Sequence, residues 1–201
     1  MPRKIIFILV FYLLLPLCSY SQYFDGGVVA GLSASQVDGD TYWGFNKLGL
    51  LGGGWVRWMF TDNVSGQLEV RYIMKGAYEA DKENNYYYKL ALHYADVPLM
   101  INYHYRKRVQ FQLGLSPEFL VFNEEYDANG PTPEDAPDFH TLNLSAIAGI
   151  GYVFLERFIA NARYNYSVIP IREHASGQVY LLNRGQYNNV LTFSIYYQIS
   201  K

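Results

Sequence analysis

The chain has 201 residues, of which 17% are charged and 17% aromatic, with a formal net charge of −2. That balance offers no basic surface for nucleic acid and no polybasic patch for an anionic membrane face. No segment after residue 21 reaches the length of an apolar transmembrane helix, so any crossing of a membrane falls to strands.

Arg3 and Lys4 precede a mostly aliphatic run, Ile5 to Leu17, and Ser19 and Ser21 supply the small residues of a signal-peptidase site. Residues 1–21 are therefore expected to be a cleaved export signal, with 22–201 a single domain starting at Gln22. The run is shorter than the ~20 residues a spanning helix needs. Cys18, the only cysteine, follows Leu17 and not a small residue, which argues against lipidation. It would leave with the signal, so no disulfide is expected in the exported domain.

Eight strands are predicted, approximately over Phe24–Ser35, Lys47–Phe60, Gly66–Tyr78, Tyr87–Tyr103, Val109–Phe122, His140–Phe154, Arg157–Ile169 and Asn188–Ser200. The last shows the period most clearly: Leu191, Phe193, Ile195, Tyr197 and Ile199 alternate with Thr192, Ser194, Tyr196, Gln198 and Ser200. Short connections alternate with long polar ones, of which the third is acidic (Glu124, Glu125, Asp127, Glu134, Asp135, Asp138) and the fourth carries Arg172 and Arg184. An even number of strands, short turns at one end and long loops at the other, give the layout of an outer-membrane barrel. The expected fold is all-β: an eight-stranded antiparallel up-and-down transmembrane β-barrel behind a cleaved signal peptide, in the bacterial outer membrane.

Matching the faces of the second and third strands pairs Arg57 with Glu69 and Gly54 with Tyr72, because a slip of one residue would invert every side chain. Carried round the sheet, the polar face collects Arg57, Glu69, Arg71, Lys75, Asp96, Glu118 and Arg163, with Gln110, Gln112, Asn143, Asn161 and Asn165. Four positive and three negative charges suit a mutually paired structural network in a barrel just wide enough to be filled by side chains. The other face presents Leu99, Ile101, Leu113, Ile150, Tyr164 and similar residues to lipid. Trp58, Phe60, Tyr103, Tyr105, Tyr152 and Phe154 gather beside the short turns as a lipid-interface girdle. Pro98 cannot donate to a ladder and predicts a gap or bulge. Leu90, Leu92 and Tyr94 share parity with the charged face, which predicts that this strand bulges or projects beyond the membrane.

Four motifs then carry a family resemblance. Gln67-Leu-Glu-Val-Arg-Tyr-Ile-Met-Lys-Gly76 looks like a Lys-Gly-terminated strand of Bacteroidota outer-membrane barrels. His93-Tyr-Ala-Asp-Val-Pro-Leu-Met-Ile101 resembles their tyrosine-acid-any-proline-leucine strand, with Asp96 where many have glutamate. Leu113-Gly-Leu-Ser-Pro-Glu118 and Ala148-Gly-Ile-Gly-Tyr-Val153 follow in order and spacing. The chain is similar to the PorT-like branch of the porin family, although Ile199-Ser-Lys201 lacks the terminal aromatic common on such barrels. The expected function is that of a non-enzymatic structural or surface-interaction barrel, and the resemblance implies, more narrowly, an accessory role in type IX secretion. Its implied partners are outer-membrane lipids, the barrel-assembly machinery during insertion, and envelope or secretion proteins reached through the long loops.

Two rivals remain on the residues alone. One is a secreted or periplasmic calycin-like barrel around an apolar ligand, which Gly53-Gly-Trp55 loosely evokes; the other is an outer-membrane lipid hydrolase using His140 with Ser116 or Ser145. His93 and Asp96 differ in parity, His104 lies at a short turn and His174 in a long loop, so no catalytic residue is assigned. No cofactor is assigned either. The acidic third loop offers oxygens for Ca²⁺ without completing an EF-hand, and no metal site is assigned.

Overall fold

A computed structural model describes residues 24–39, 44–81, 86–106, 108–127, 130–131, 137–173 and 185–200. The expected export signal with Cys18, together with Glu134, Asp135, His174 and Arg184, lies outside the described residues. Ten strand segments appear: β1 (Phe24–Asp38), β2 (Lys47–Thr61), β3 (Val64–Asp81), β4 (Tyr86–Asp96), β5 (Leu99–Tyr105), β6 (Val109–Asp127), β7 (Gly130–Pro131), β8 (Leu142–Leu155), β9 (Phe158–Ser167) and β10 (Tyr187–Ser200). All pairings are antiparallel between neighbours, and β1 pairs with β10 from Gly26↔Ser200 to Asp38↔Tyr187, closing the ring. β4 and β5 are two halves of one wall position, since both pair with β3 and both with β6. Counted that way the ring has eight strands, and β7 only extends the β6 hairpin through Tyr126↔Pro131 and Asp127↔Gly130.

Pro98 explains the division. Lacking an N–H, it leaves a gap at Val97 and Pro98, which other groups bridge: Glu69 N–H donates to Pro98 O at 3.0 Å, and Val97 N–H to Pro117 O at 3.0 Å. The strand above the gap does not itself bulge, and its upper residues pair with Asn123 to Asp127 of β6, past Phe122. Leu90, Leu92 and Tyr94 are 0% exposed and fill the barrel interior. The bulge sits in the partner, where His93↔Phe122 is followed by Tyr94↔Leu120 and Val121 is left over. Parity in β6 inverts there, so Phe119 and Phe122 both face outward while Glu125 faces in, where Tyr88 and Arg172 hold it.

The predicted β2–β3 register is off by two residues. Arg57 stands opposite Gln67, Trp55 opposite Glu69, and Gly52 opposite Tyr72. The turn holds only Asp62 and Asn63, closed by Val64 N–H donating to Thr61 Oγ1 at 3.1 Å, and a one-residue bulge at Phe60 follows. Faces were therefore assigned correctly while the rung was not. An aromatic does cover a glycine here, but it is Trp58 over Gly66: a Cβ on Gly66 would lie 2.5 Å from the indole.

The sheet is apolar outside. Leu99, Ile101, Leu113, Leu115, Phe193 and Ile199 are each at least half exposed. A calycin barrel would direct such a face to its ligand cavity; here it points away from the lumen. Expected loop also turns out to be strand: β6 runs through Asn123 to Asp127, and β1 through Gln36 to Asp38.

Candidate functional site

Inward positions on β3, β4, β6 and β9 converge on the middle of the lumen, and small residues opposite make room for them. Gly149 makes room for a charged side chain directly, because a Cβ there would sit 2.5 Å from Cγ of Arg163. All seven charged residues singled out in the sequence are buried, none more than 8% exposed. Glu69 is the hub. It accepts from Arg163 Nη2 at 2.7 Å and Nη1 at 3.1 Å, from Gln67 Nε2 at 2.6 Å and from the Tyr196 hydroxyl at 3.0 Å. Arg71 Nη1 lies 3.3 Å from the same carboxylate, while Arg71 also grips Asp96 with Nη2 at 2.6 Å and Nε at 3.2 Å. Bidentate contacts of this kind fix a guanidinium in orientation as well as in charge.

A second cluster stands toward the long loops. Lys75 Nζ donates to Glu118 at 2.6 Å, and Asn143 Nδ2 donates to the other carboxylate oxygen at 2.8 Å. Asp96 and Glu118 face each other directly across β4 and β6, a like-charge rung that stands because each carboxylate has its own cation. Arg57 belongs to neither cluster. Its partner is Asp25 at 2.6 Å, which Gln198 also holds at 3.0 Å. Asp25 escaped the sequence reading, yet the signal was present: it has the inward parity of Val29, Ser33 and Ser35 on β1. With Asp25 included, the described residues below the apolar layer set four cations against four anions.

Above these clusters the interior becomes apolar. Val37, Leu90, Ile171 and Val190 are at most 1% exposed, and Leu92 and Ile73, equally buried, carry the apolar packing down to the rung of Lys75 and below it. Past the last outward apolar residue of β6, Phe122, an ion pair joins the third and fourth connections: Arg172 Nη1 and Nη2 each reach Glu125 at 2.7 Å. Tyr88 donates to the same carboxylate at 2.6 Å, and the Arg172 guanidinium lies 4.3 Å from the Phe139 ring centroid. Burial alone would raise Glu125, but hydrogen bonds from Arg172 and Tyr88 outweigh it and hold the carboxyl below its ordinary value.

The six girdle aromatics take outward positions near the short turns. Phe60, Tyr103, Tyr105, Tyr152 and Phe154 are exposed, while Trp58 is half-buried against Gly66. The hydrolase constellation is not brought together. Ser116 and Ser145 are buried inside, whereas His140 is exposed and its Nδ1 lies 3.0 Å from Pro170 O. His93 faces outward beside Tyr72 and Phe122, on the opposite side of β4 from Asp96. Ser65 Oγ and His104 Nε2 do meet at 2.7 Å near the short-turn end, but Ser65 is 0% exposed and its hydroxyl is not presented to solvent. Among the described residues no group of three His, Cys, Asp or Glu could hold a metal ion.

Comparison with known proteins agrees with this geometry. Neisserial surface protein A (NspA) superposes with a TM-score of 0.53 at 12% identity, over 89% of this chain and 99% of that one. The attachment invasion locus protein Ail of Yersinia pestis gives 0.47 at 14% identity, over 87% and 98%. The N-terminal β-barrel domain of Pseudomonas aeruginosa OprF gives 0.37 at 15%, over 86% and 97%. At such identities the likeness to NspA speaks for the fold alone. No curated protein matches the sequence. Residues 19–173 match the family described as outer membrane protein beta-barrel domain. An apolar exterior, a closed antiparallel ring and that match together place the protein in the outer membrane, and the chain belongs to the outer membrane protein beta-barrel domain family.

Proposed function

We propose that this protein is a non-enzymatic, non-conducting barrel whose braced interior serves as a rigid mount for its outer loops, which contact other envelope components. The observation that carries the reading is the filled lumen. Two ion-pair clusters, an apolar layer and the Glu125–Arg172 clasp occupy successive levels of one bore. Lumen charges satisfied by one another act as struts, not as an ion path. Separation of His140 from the lumen serines supports the absence of a hydrolytic centre. Purified protein in planar lipid bilayers is expected to show no stepwise conductance; reproducible single-channel events would overturn the closed-lumen reading.

Within that frame, the resemblance of Gln67–Gly76 and His93–Ile101 to PorT-like Bacteroidota barrels supports an accessory role in type IX secretion. Such a part would meet the secretion machinery through the loops or turns, after insertion by the barrel-assembly machinery. An in-frame deletion in the native host tests it: broad loss of secreted type IX cargo, restored by complementation, is expected. An unchanged secretome would leave a structural or surface-contact barrel.

A further inference from the structure

The outer wall of the barrel carries a slot that its apolar exterior does not require. It lies over β2, β3, β5 and β6, with a volume of about 540 Å³, between Trp58 and Phe60 on one side and Leu99, Ile101, Leu113 and Leu115 on the other. The sequence makes it. Trp58, Gly66, Ile101 and Leu113 form one row across the outward face of four adjacent strands, and Gly66 contributes no side chain. The Trp58 indole folds down over that glycine, edge-on to Phe60 at 5.7 Å, which leaves the neighbouring rung open as a channel.

Below the slot, the same outward face of β5 continues through Tyr103 and Tyr105 into the short turn, where Arg106 stands in the left-handed region at φ 48°. Its guanidinium lies 5.2 Å from the Tyr105 ring centroid. Arg106 and Arg108 are exposed, and neither has an ion-pair partner among the described residues. The five steps from Ile101 to Arg106 span roughly 17 Å of strand. At the ~40° tilt of such strands that is about 13 Å of depth, close to the ~15 Å of one leaflet. An apolar slot, an aromatic belt and an arginine with no ion pair among the described residues thus lie in line, in the order of a phospholipid's acyl chain, glycerol region and phosphate.

We propose that this face is a specific phospholipid site in the leaflet at the short-turn end. One acyl chain lies in the slot against Gly66, Ile101 and Leu113, and the phosphate is held by Arg106, whose planar guanidinium suits two phosphate oxygens. Two arginines, Arg106 and Arg108, against one carboxylate, Asp62 of the adjacent β2–β3 turn, leave the described residues at the foot of the slot net positive, which selects an anionic headgroup. That net charge does not select a second copy of this chain, which would bring the same arginine.

Native mass spectrometry of the purified protein with added dioleoylphosphatidylglycerol tests this, with dioleoylglycerol as the probe that has the chains but no phosphate. A one-to-one phosphatidylglycerol adduct is expected to survive gentle activation, at least fivefold more abundant than the dioleoylglycerol adduct. Leu113→Phe fills the slot from the outer face and leaves the lumen untouched; it should remove the adduct. Arg106→Asn keeps a residue that tolerates positive φ and should bring the two probes to equal binding. Heat-modifiable gel mobility checks that both variants fold, and Ile101→Phe is the second slot-filling variant should Leu113→Phe fail. Adducts of equal abundance for both probes, indifferent to these substitutions, would overturn the site. So would a protein dimer abolished by Leu113→Phe, which would assign the slot to a second copy.

Discussion

Glu69 shows how much one side chain can carry in this interior. It is 0% exposed and holds two arginines, a tyrosine and a glutamine at once. Removing one member of a buried pair costs about 3–5 kcal/mol, because the partner charge stays desolvated, whereas replacing both by apolar groups of similar volume is often neutral. Glu69→Gln is therefore expected to lower the urea midpoint of unfolding sharply. Glu69→Leu combined with Arg163→Met should recover much of the loss, although Arg71 then keeps only Asp96. Equilibrium unfolding in lipid vesicles, followed by tryptophan emission, reads this directly. Trp55 packs edge-on to Tyr196 at 6.0 Å inside the same cluster and would report its loosening. A double variant as unstable as the single one would mean that Glu69 acts through shape and not through charge.

At the scale of elements, period two gave the faces, and turn chemistry decided the rungs. Alternation in β10 was legible residue by residue, since a strand wetted on neither side has to sort its side chains by chemistry. The β2–β3 rung was not legible, because a two-residue turn and the bulge at Phe60 together shift pairing by two, which leaves every face unchanged. Leu90 and Leu92 misled for a related reason: a lumen expected to be polar hid the fact that its upper part is an apolar core. The sequence places Arg172 and Glu125 only in two separate connections, and no spacing rule joins residues 47 positions apart. The register can be checked with outward cysteines in a background lacking Cys18. Val56 stands opposite Leu68, so Val56→Cys with Leu68→Cys should oxidise to a disulfide, while Val56→Cys with Val70→Cys should not. Electrophoretic mobility before and after reduction distinguishes the two, and the opposite result would restore the Arg57–Glu69 rung.

The whole molecule is a tube whose two ends are finished differently, tight turns with an aromatic belt at one and an ionic clasp at the other. The clasp makes the long-loop end sensitive to acid. Glu125 is held below its ordinary value in the folded protein, so its contribution to stability is complete above the unfolded carboxyl value of about 4.3. It then disappears as pH falls through the folded value. The segment that depends on it is short: Ile171 N–H donates to Gln186 O at 2.7 Å, and Gln186 N–H to Arg172 O at 2.9 Å. Amide exchange at Ile171 and Gln186, corrected for intrinsic pH dependence, should therefore stay slow from pH 7 to about 5 and accelerate below the ordinary carboxyl value. Glu125→Gln should exchange quickly at every pH, while amides of the β3–β4 ladder beneath remain protected in both proteins. That contrast matters because loosened loops over an intact barrel would separate the contact surface from its mount. If acid instead released the β3–β4 ladder together with the clasp, the barrel would open as one cooperative unit, and the loops could not be tuned independently of the strands that carry them.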